Sequence, residues 1–356
     1  MANTREIALL RLAAQRLAGP GHASAAEAVR WLTAAQAQDH GGAVTSVALR
    51  TTGGTRAEVE AAFAAAEVVK SWPLRGTLHL VAAEDLPWIL ALAAPRVIAR
   101  SAARHTELAL DEKTIGYAHE LTREALAGGR SARRDELIAG WEKAGVGTSG
   151  QRGYHILRHL AMTGVLCFGP LSGGEQLLVL VDEWVPHPRR PEREEALGEL
   201  ALRYFRGHGP ATVKDYTRWA GLTAAEVKAG IAAARPRLEA IEADGVAHLM
   251  DPTTPELLAA NRKEAREVLL LPGFDEYMLG YADRTAALPA AYASRIVPGG
   301  NGVFQPTVVS GGQVVGTWRA VGRAGRRAVE ATPFAAFGRA AEAAIPKRYA
   351  EGPYAR

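Results

Sequence analysis

The chain has 356 residues, too many for one ordinary hydrophobic core, so two or more domains or a repeated unit are expected. Its 48% hydrophobic and 22% charged residues exclude a disordered or fibrous chain. The formal net charge of +4 permits nucleic-acid binding without demanding it, and the single cysteine, Cys167, excludes a disulfide within the chain. Cys167 sits in an apolar stretch and reads as a small buried residue rather than a nucleophile. The opening Met-Ala-Asn-Thr-Arg-Glu lacks a signal-peptide pattern, and the apolar run 86–98 is too short to span a bilayer. A cytoplasmic protein without a membrane segment is therefore expected.

In chain order, residues 4–17 carry apolar residues at helical spacing, and residues 25–38 form a second predicted helix with Ser24 as N-cap. The Gly41-Gly42 pair is expected to end that helix. Residues 44–51 read as a strand, and Thr55 with Glu58 as a capping box opening another helix. A strand is expected over residues 74–81, then a helix from about Asp85. Helices over residues 113–127, 131–138 and 150–161 precede a hairpin of residues 164–169 and 176–181 around Ser172-Gly173-Gly174. Three helices followed by a two-stranded hairpin is the winged-helix arrangement. The pattern returns with helices over residues 191–205, 212–219 and 223–233 and strands over 238–242 and 246–250. From Val268 onwards come strands over 268–275, 294–297, 303–309 and 314–320, separated by glycine turns, and a last helix over 333–345. The fold class is α+β: winged-helix units at residues 1–108, 109–188 and 189–262, followed by a small β-barrel-like domain with a terminal helix at 263–356.

The most informative local feature is Gln36-Ala37-Gln38, followed by Asp39 and His40. Two residues apart in a continuing helix, the amides would point to nearly opposite sides. A distorted last turn would bring both to one side, facing a cleft. Each amide offers donors and an acceptor but no titratable proton, so the pair can hold a water or a sugar, or merely cap carbonyls at a helix end.

Other candidates concern nucleic acid. Thr77 and His79 lie two apart on a predicted strand and share one face with Arg75, suited to phosphate or lesion, or simply a polar outer face. Arg152, His155 and His159 follow helical spacing beside Arg158, either a phosphate-contacting face or a solvated one. Arg319, Arg323, Arg326 and Arg327 form a further basic run. Pro298-Gly-Gly-Asn301-Gly302 reads as a hairpin tip able to enter a groove. Asp275 follows a Pro-Gly turn and would cap an element or polarise a site group. His187, His208 and His248 lack ligand spacing, so no metal or cofactor is expected.

Several of these segments together resemble one family. Gln36-Ala-Gln38, Arg75-Gly-Thr-Leu-His79, Tyr204-Phe-Arg-Gly-His-Gly-Pro210, Asp215 to Trp219, and Leu271-Pro-Gly-Phe-Asp275-Glu-Tyr with Asp283-Arg284 occur in the order found in the winged-helix DNA glycosylases typified by AlkZ and YcaQ. The resemblance covers nearly the whole chain. It implies a monomer with a C-shaped cleft built from three winged-helix units and a β domain, acting on double-stranded DNA. It implies excision of purines alkylated at the seven position, extending to bulky adducts or crosslinks from genotoxic natural products, against which such enzymes protect producers. The motif is Gln-x-Gln in the AlkZ branch and Gln-x-Asp in the other. Gln38 places this chain with AlkZ, and Asp39 stands one position beyond the motif. The resemblance thus implies that Gln36 and Gln38 are catalytic; Asp39, His40 and Asp275 are read as possible support, and Arg75, Thr77, His79, Arg152, His155, Arg158, His159 and Asn301, from their spacing and placement, as candidate DNA contacts.

Two amides suit that chemistry. An alkylated purine carries positive charge and leaves without acid help, so the enzyme needs to place a water and tolerate an oxocarbenium-like sugar. No strong base is required, and no lysine stands by motif beside Gln36 to form an imine. The alternative is a non-enzymatic winged-helix regulator or damage sensor; three winged helices alone would favour a regulator, in which the fold is commonest.

Overall fold

The computed structural model describes residues 4–323 and 327–354. The chain divides into two compact units, Met1–Val59 with Leu197–Arg356, and Glu60–Ala196.

The first unit begins with α1 (Thr4–Ala14), which buries Ile7, Leu9, Leu10 and Leu12. Ser24 caps α2 (Ala25–Leu32), its hydroxyl accepting from the Glu27 N–H. The expected continuation of this helix to residue 38 does not occur. Thr33 takes φ 68°, a left-handed stop that turns the chain out of the helix after Leu32. A two-residue extended piece, β1 (Ala35–Gln36), follows. Gly41 and Gly42 do not end a helix; they lie in the first turn of α3 (His40–Ala48). The expected strand at 44–51 is this helix. Ala43, Val44, Val47 and Ala48 are buried together with Thr45 and Ser46, so the segment shows no polar stripe by which a 3.6-residue period could be told from a strand. The Thr55–Glu58 capping box does open α4 (Arg56–Ala64): the Thr55 N–H reaches Glu58 at 2.7 Å and the Glu58 N–H reaches the Thr55 hydroxyl at 3.2 Å.

In the second unit the strand expected over 74–81 is a hairpin of β2 (Val68–Leu74) and β3 (Thr77–Ala82). Its turn, Arg75-Gly76, has both residues at positive φ, the tight form whose twist matches the strands. The missed half contains Trp72-Pro73. Proline is tolerated there because pairing is irregular between Ser71 and Leu74. Then come α5 (Leu86–Arg100), which runs through Pro95, α6 (Ala102–Glu107), α7 (Glu112–Leu126), α8 (Arg134–Lys143) and α9 (Arg152–Met162). The strands β4 (Leu166–Ser172) and β5 (Glu175–Leu180) turn at Gly173-Gly174 as expected, and α10 (Val181–Trp184) follows. The antiparallel order β3-β2-β4-β5 joins the two hairpins through Lys70 and Phe168.

The chain then completes the first unit. Helices α11 (Arg193–His208), α12 (Val213–Ala220) and α13 (Ala224–Ala234) precede the hairpin of β6 (Glu239–Ala243) and β7 (Val246–Met250). Helix α14 (Thr254–Ala265) packs along α1. The strand β8 (Val268–Leu271) leads to α15 (Glu276–Leu279), capped by Asp275. Residues 294–297 are not a strand: α16 (Ala293–Ile296) stands there, buried at Ile296. Residues 298–302 are not a hairpin tip either, since no strand flanks them and Pro298–Gly300 is one short 3-10 turn. The sheet is completed by β9 (Thr307–Ser310), β10 (Gln313–Val321) and β11 (Ala328–Pro333), in the order β11-β10-β9-β8. It is an open meander rather than a barrel. The terminal helix α17 (Arg339–Glu351) packs on β8 and β11, starting later than expected. One core joins Leu12 of α1, Leu258 of α14, Tyr277 of α15 and Val309 of β9, so α15 is held by several elements.

Candidate active site

Gln36 and Gln38 stand between the stop of α2 and the start of α3. In an extended chain alternate residues share a face. Ala35 and Ala37 are each 1% exposed, Gln36 is half-buried and Gln38 is exposed. Gln36 and Gln38 thus hold the less buried positions of this segment, alternating with the buried Ala35 and Ala37, and do not stand on the distorted helical turn expected. Asp39 is the N-cap of α3, its carboxylate accepting from the Gly41 N–H at 3.1 Å, and His40 is the first residue of that helix.

The Gln36 peptide is held from behind. Its N–H donates to Glu276 Oε1 at 2.9 Å. The other carboxylate oxygen of Glu276 meets Trp219 Nε1 and His208 Nε2, each at 3.2 Å. Glu276 and Trp219 are 1% exposed and His208 is fully buried. His208 stacks on Tyr204 with ring centroids 4.8 Å apart. Two glycines near it stand where a Cβ would clash. A Cβ on Gly207 would meet the Trp31 carbonyl oxygen at 2.7 Å, and a Cβ on Gly280 would meet His208 Cδ2 at 2.6 Å. Glu276 was not singled out in the sequence, although it lies within the Pro-Gly-Phe-Asp-Glu-Tyr segment. Gln36, His208, Trp219 and Glu276 come from four of the segments that carried the family resemblance.

Asp275 faces the other way. Both its oxygens accept from Arg50 at 2.9 Å, the Ser46 hydroxyl donates to it at 2.6 Å, and the Tyr277 N–H donates at 2.9 Å. It is a helix cap and the anion of a buried ion pair.

Beside α3, a pocket of about 540 Å³ is lined by Asp39, Arg56, Trp318, Arg319, Arg327 and Tyr354 among others. Arg56 is fixed there by donating to the Gly41 carbonyl at 2.7 Å and the Thr45 hydroxyl at 2.8 Å. Arg319 pairs with the exposed Glu330. Arg326 lies outside the described residues.

The other candidates sit in the second unit, apart from Asn301. Thr77 and His79 share a face of β3, but Arg75 belongs to the turn and not to that face. Its guanidinium reaches back to His79 Nε2 at 3.3 Å, while His79 Nδ1 lies 2.8 Å from the Thr77 carbonyl. The carbonyl can only accept, so Nδ1 carries the proton and Nε2 accepts from Arg75. His79 is fully buried, and so is not a direct contact on this surface. Arg152 is spent on backbone carbonyls: Nε donates to Gly147 at 2.7 Å, and Nη1 to Ala109 at 2.9 Å and to Leu108. Arg158 donates to the Ser101 hydroxyl at 3.2 Å and lies over Gly76. His155 and His159 gather around His105, with centroids 5.7 and 5.6 Å from it. Burial, mutual repulsion and, for His105 and His155, the Arg158 charge hold these imidazoles below the usual histidine range. Asn301 turns its side-chain oxygen onto the Val303 N–H, within its own loop.

Burial lowers the Lys70 ammonium to about 8, over the Phe168 ring at 4.5 Å, and raises the Cys167 thiol to about 12. A thiol so placed is inert packing. Among the described residues no three of His, Cys, Asp and Glu converge as metal ligands, and no helix is long and apolar enough to cross a membrane.

The chain is similar to known proteins along nearly its full length. An interstrand DNA cross-link repair glycosylase of Streptomyces sahachiroi is 28% identical over 344 residues, covering 90% of this chain and 88% of that protein. The solved structure of the Streptomyces sahachiroi DNA glycosylase AlkZ superposes with a TM-score of 0.82 at 26% identity, covering 98% of this chain and 95% of that one. The family model described as DNA glycosylase AlkZ-like matches residues 29–351, and the chain belongs to that family of DNA glycosylases.

Proposed function

We propose that this glycosylase hydrolyses the N-glycosidic bond of cationic, 7-substituted purines in duplex DNA, with Gln36 and Gln38 orienting the attacking water. The observation that carries this reading is the pair of neutral amides at the less buried positions of a segment whose backbone is gripped by Glu276. A purine alkylated at that position leaves as a neutral base, so no acid need protonate it. The amide oxygens accept from the water and hold it under the anomeric carbon, and the developing sugar cation meets oxygen dipoles rather than a hydrophobic wall. A neutral pair is a weak base, so ordinary bases, which depart poorly, are spared. No lysine enters the scheme, and an abasic site is the product.

The helix–helix–helix–hairpin order of α7 to β5 and again of α11 to β7 supports reading residues 109–188 and 189–262 as winged-helix modules that follow the duplex. Residues 1–108 complete the set and residues 263–356 form the β domain. The basic pocket of Arg56, Arg319 and Arg327 beside the glutamine segment suits a phosphodiester strand running past the lesion. The cross-link repair named for the Streptomyces sahachiroi relative extends the proposed substrates to bulky adducts and interstrand crosslinks from genotoxic natural products.

The test is base release from a duplex carrying 7-methylguanine. Wild type should release the base, and Gln36→Ala/Gln38→Ala should not, with DNA affinity unchanged at one salt concentration. Equal release by both would remove the glutamines from the chemistry.

A further inference from the structure

Glu276 holds a position that neither a cap nor a surface ion pair explains. It is 1% exposed, and three donors from three segments of the chain converge on it: the Gln36 peptide N–H, Trp219 Nε1 and His208 Nε2. Two of these are fixed donors, so the carboxyl group accepts, and the imidazole nitrogen facing it carries the proton. Three donors on two oxygens suit a carboxylate, which only accepts. We infer that Glu276 is the positioning residue of this active site: clamped by His208 and Trp219, its buried carboxylate fixes the Gln36 peptide and sets a negative charge against the backbone of the segment that carries the water-orienting amides. The inference rests on Gln36 and Gln38 being that pair.

Two consequences follow for the reaction. The first is orientation. Gln36 lies in a two-residue extended piece between two helices. The Glu276 anchor on its N–H fixes the backbone from which the amide projects, and a small misplacement of a positioned water is costly in rate. The second is electrostatic. The reaction moves positive charge from the leaving purine onto the sugar, and a fixed anion nearby favours the sugar cation without becoming the base that takes the proton. Asp275 cannot serve instead, since Arg50 neutralises it.

A purely structural role is separable from this one. In Glu276→Gln one oxygen still accepts from Gln36, but the amide NH₂ opposes the Trp219 N–H and leaves a buried donor orphaned. Trp219→Phe removes that donor. The experiment follows single-turnover 7-methylguanine release, melting temperature and duplex affinity at fixed salt for Glu276→Gln, Trp219→Phe and the double variant. Glu276→Gln should lower the melting temperature, slow release about 10²-fold and leave duplex affinity within about twofold, as loss of a preorganised group does. The double variant should melt where Trp219→Phe alone melts and still release base about 10²-fold more slowly than Trp219→Phe. This comparison carries the test even if Glu276→Gln alone does not fold. Recovery of rate together with melting temperature would reduce Glu276 to a structural group and overturn the inference. Gln36→Ala/Gln38→Ala in the same assay separates the two levels. If that variant is inactive while Glu276→Gln matches wild type, the positioning role alone fails. If it retains full rate, the glutamine reading fails and takes this one with it.

Discussion

Asp275 and Glu276 are neighbours in sequence, and their carboxylates close one buried ring of polar contacts from opposite sides. Asp275 accepts from Arg50, and Arg50 Nη2 also donates to Gln15 Oε1 at 2.7 Å. Gln15 donates to the Tyr281 hydroxyl at 3.0 Å, and that hydroxyl donates to the His208 carbonyl at 2.8 Å. His208 returns to Glu276 at 3.2 Å. A closed network of this kind is stiff, and losing one member leaves the others buried without partners.

The Arg50–Asp275 pair should therefore be a stability element whose loss reaches the site indirectly. Both side chains are essentially unexposed, at 0% and 1%. Arg50→Met leaves an uncompensated carboxylate in the interior and is expected to cost about 3–5 kcal/mol in urea unfolding. Arg50→Met/Asp275→Leu should cost less than the sum of the single variants, because the orphaned charge is gone. Additive costs would mean that the two groups do not act as a pair.

Gly280 should resist substitution for reasons of space. It stands at φ −62°, where any residue is comfortable, yet a Cβ would lie 2.6 Å from His208 Cδ2 and 2.8 Å from the Glu276 carbonyl oxygen. Gly280→Ala must push the imidazole or α15 aside. A cost of about 1–3 kcal/mol is expected from such overpacking. Base release should slow more than Gly280→Ala weakens DNA binding, and a variant with wild-type melting and wild-type rate would show that His208 yields freely.

Arg152 separates a phosphate contact from a structural latch. Its guanidinium already serves the carbonyls of Gly147 and Ala109, tying the start of α9 to the loop before α7. Arg152→Gln is thus expected to lower the melting temperature while leaving the slope of log K against log salt unchanged. A phosphate contact would instead reduce that slope by about 1. Arg56 and Arg327, in the pocket beside the glutamine segment, are where a reduced slope is expected.

The sequence carried the local signals that depend on a few adjacent residues, and lost those that depend on distant ones. Ser24, the Thr55–Glu58 box and the Gly173-Gly174 turn are all legible because capping and turn chemistry is local. The end of α2 was not, because it rests on Thr33 in a left-handed conformation that tertiary packing imposes. The order of α3 against a strand was not, because burial on every side erased its periodicity. The site was legible in part. Gln36 and Gln38 stand out in the sequence as a pair, but they sit in and just after an extended piece rather than on a helical turn, and Glu276 is hidden by its sequence neighbour. A carboxylate after a Pro-Gly turn looks like a cap, which Asp275 is; nothing local says that the next residue turns towards a histidine 68 positions earlier.

Acid stability gives a last expectation, and its sign follows from His22. Burial is the main cause that lowers this imidazole to about 4, helped by the charges of Arg16 and Arg50 and opposed by Glu27. Its Nε2 is buried without a partner among the described residues. The folded state thus favours the neutral ring, while the unfolded chain takes up the proton at about the ordinary value of 6.5. Stability is complete above that value and is lost as the pH falls towards 4, since over this range the unfolded state binds the proton and the folded state does not. The lowered imidazoles of His105, His155 and His159 act in the same direction. Melting temperature should fall from pH 7 to pH 4.5, and His22→Gln should flatten that fall while altering the slope little above about pH 7.5, where neither state protonates the ring. A fall in melting temperature of the same steepness in His22→Gln would assign the acid sensitivity to the histidines of the second unit instead.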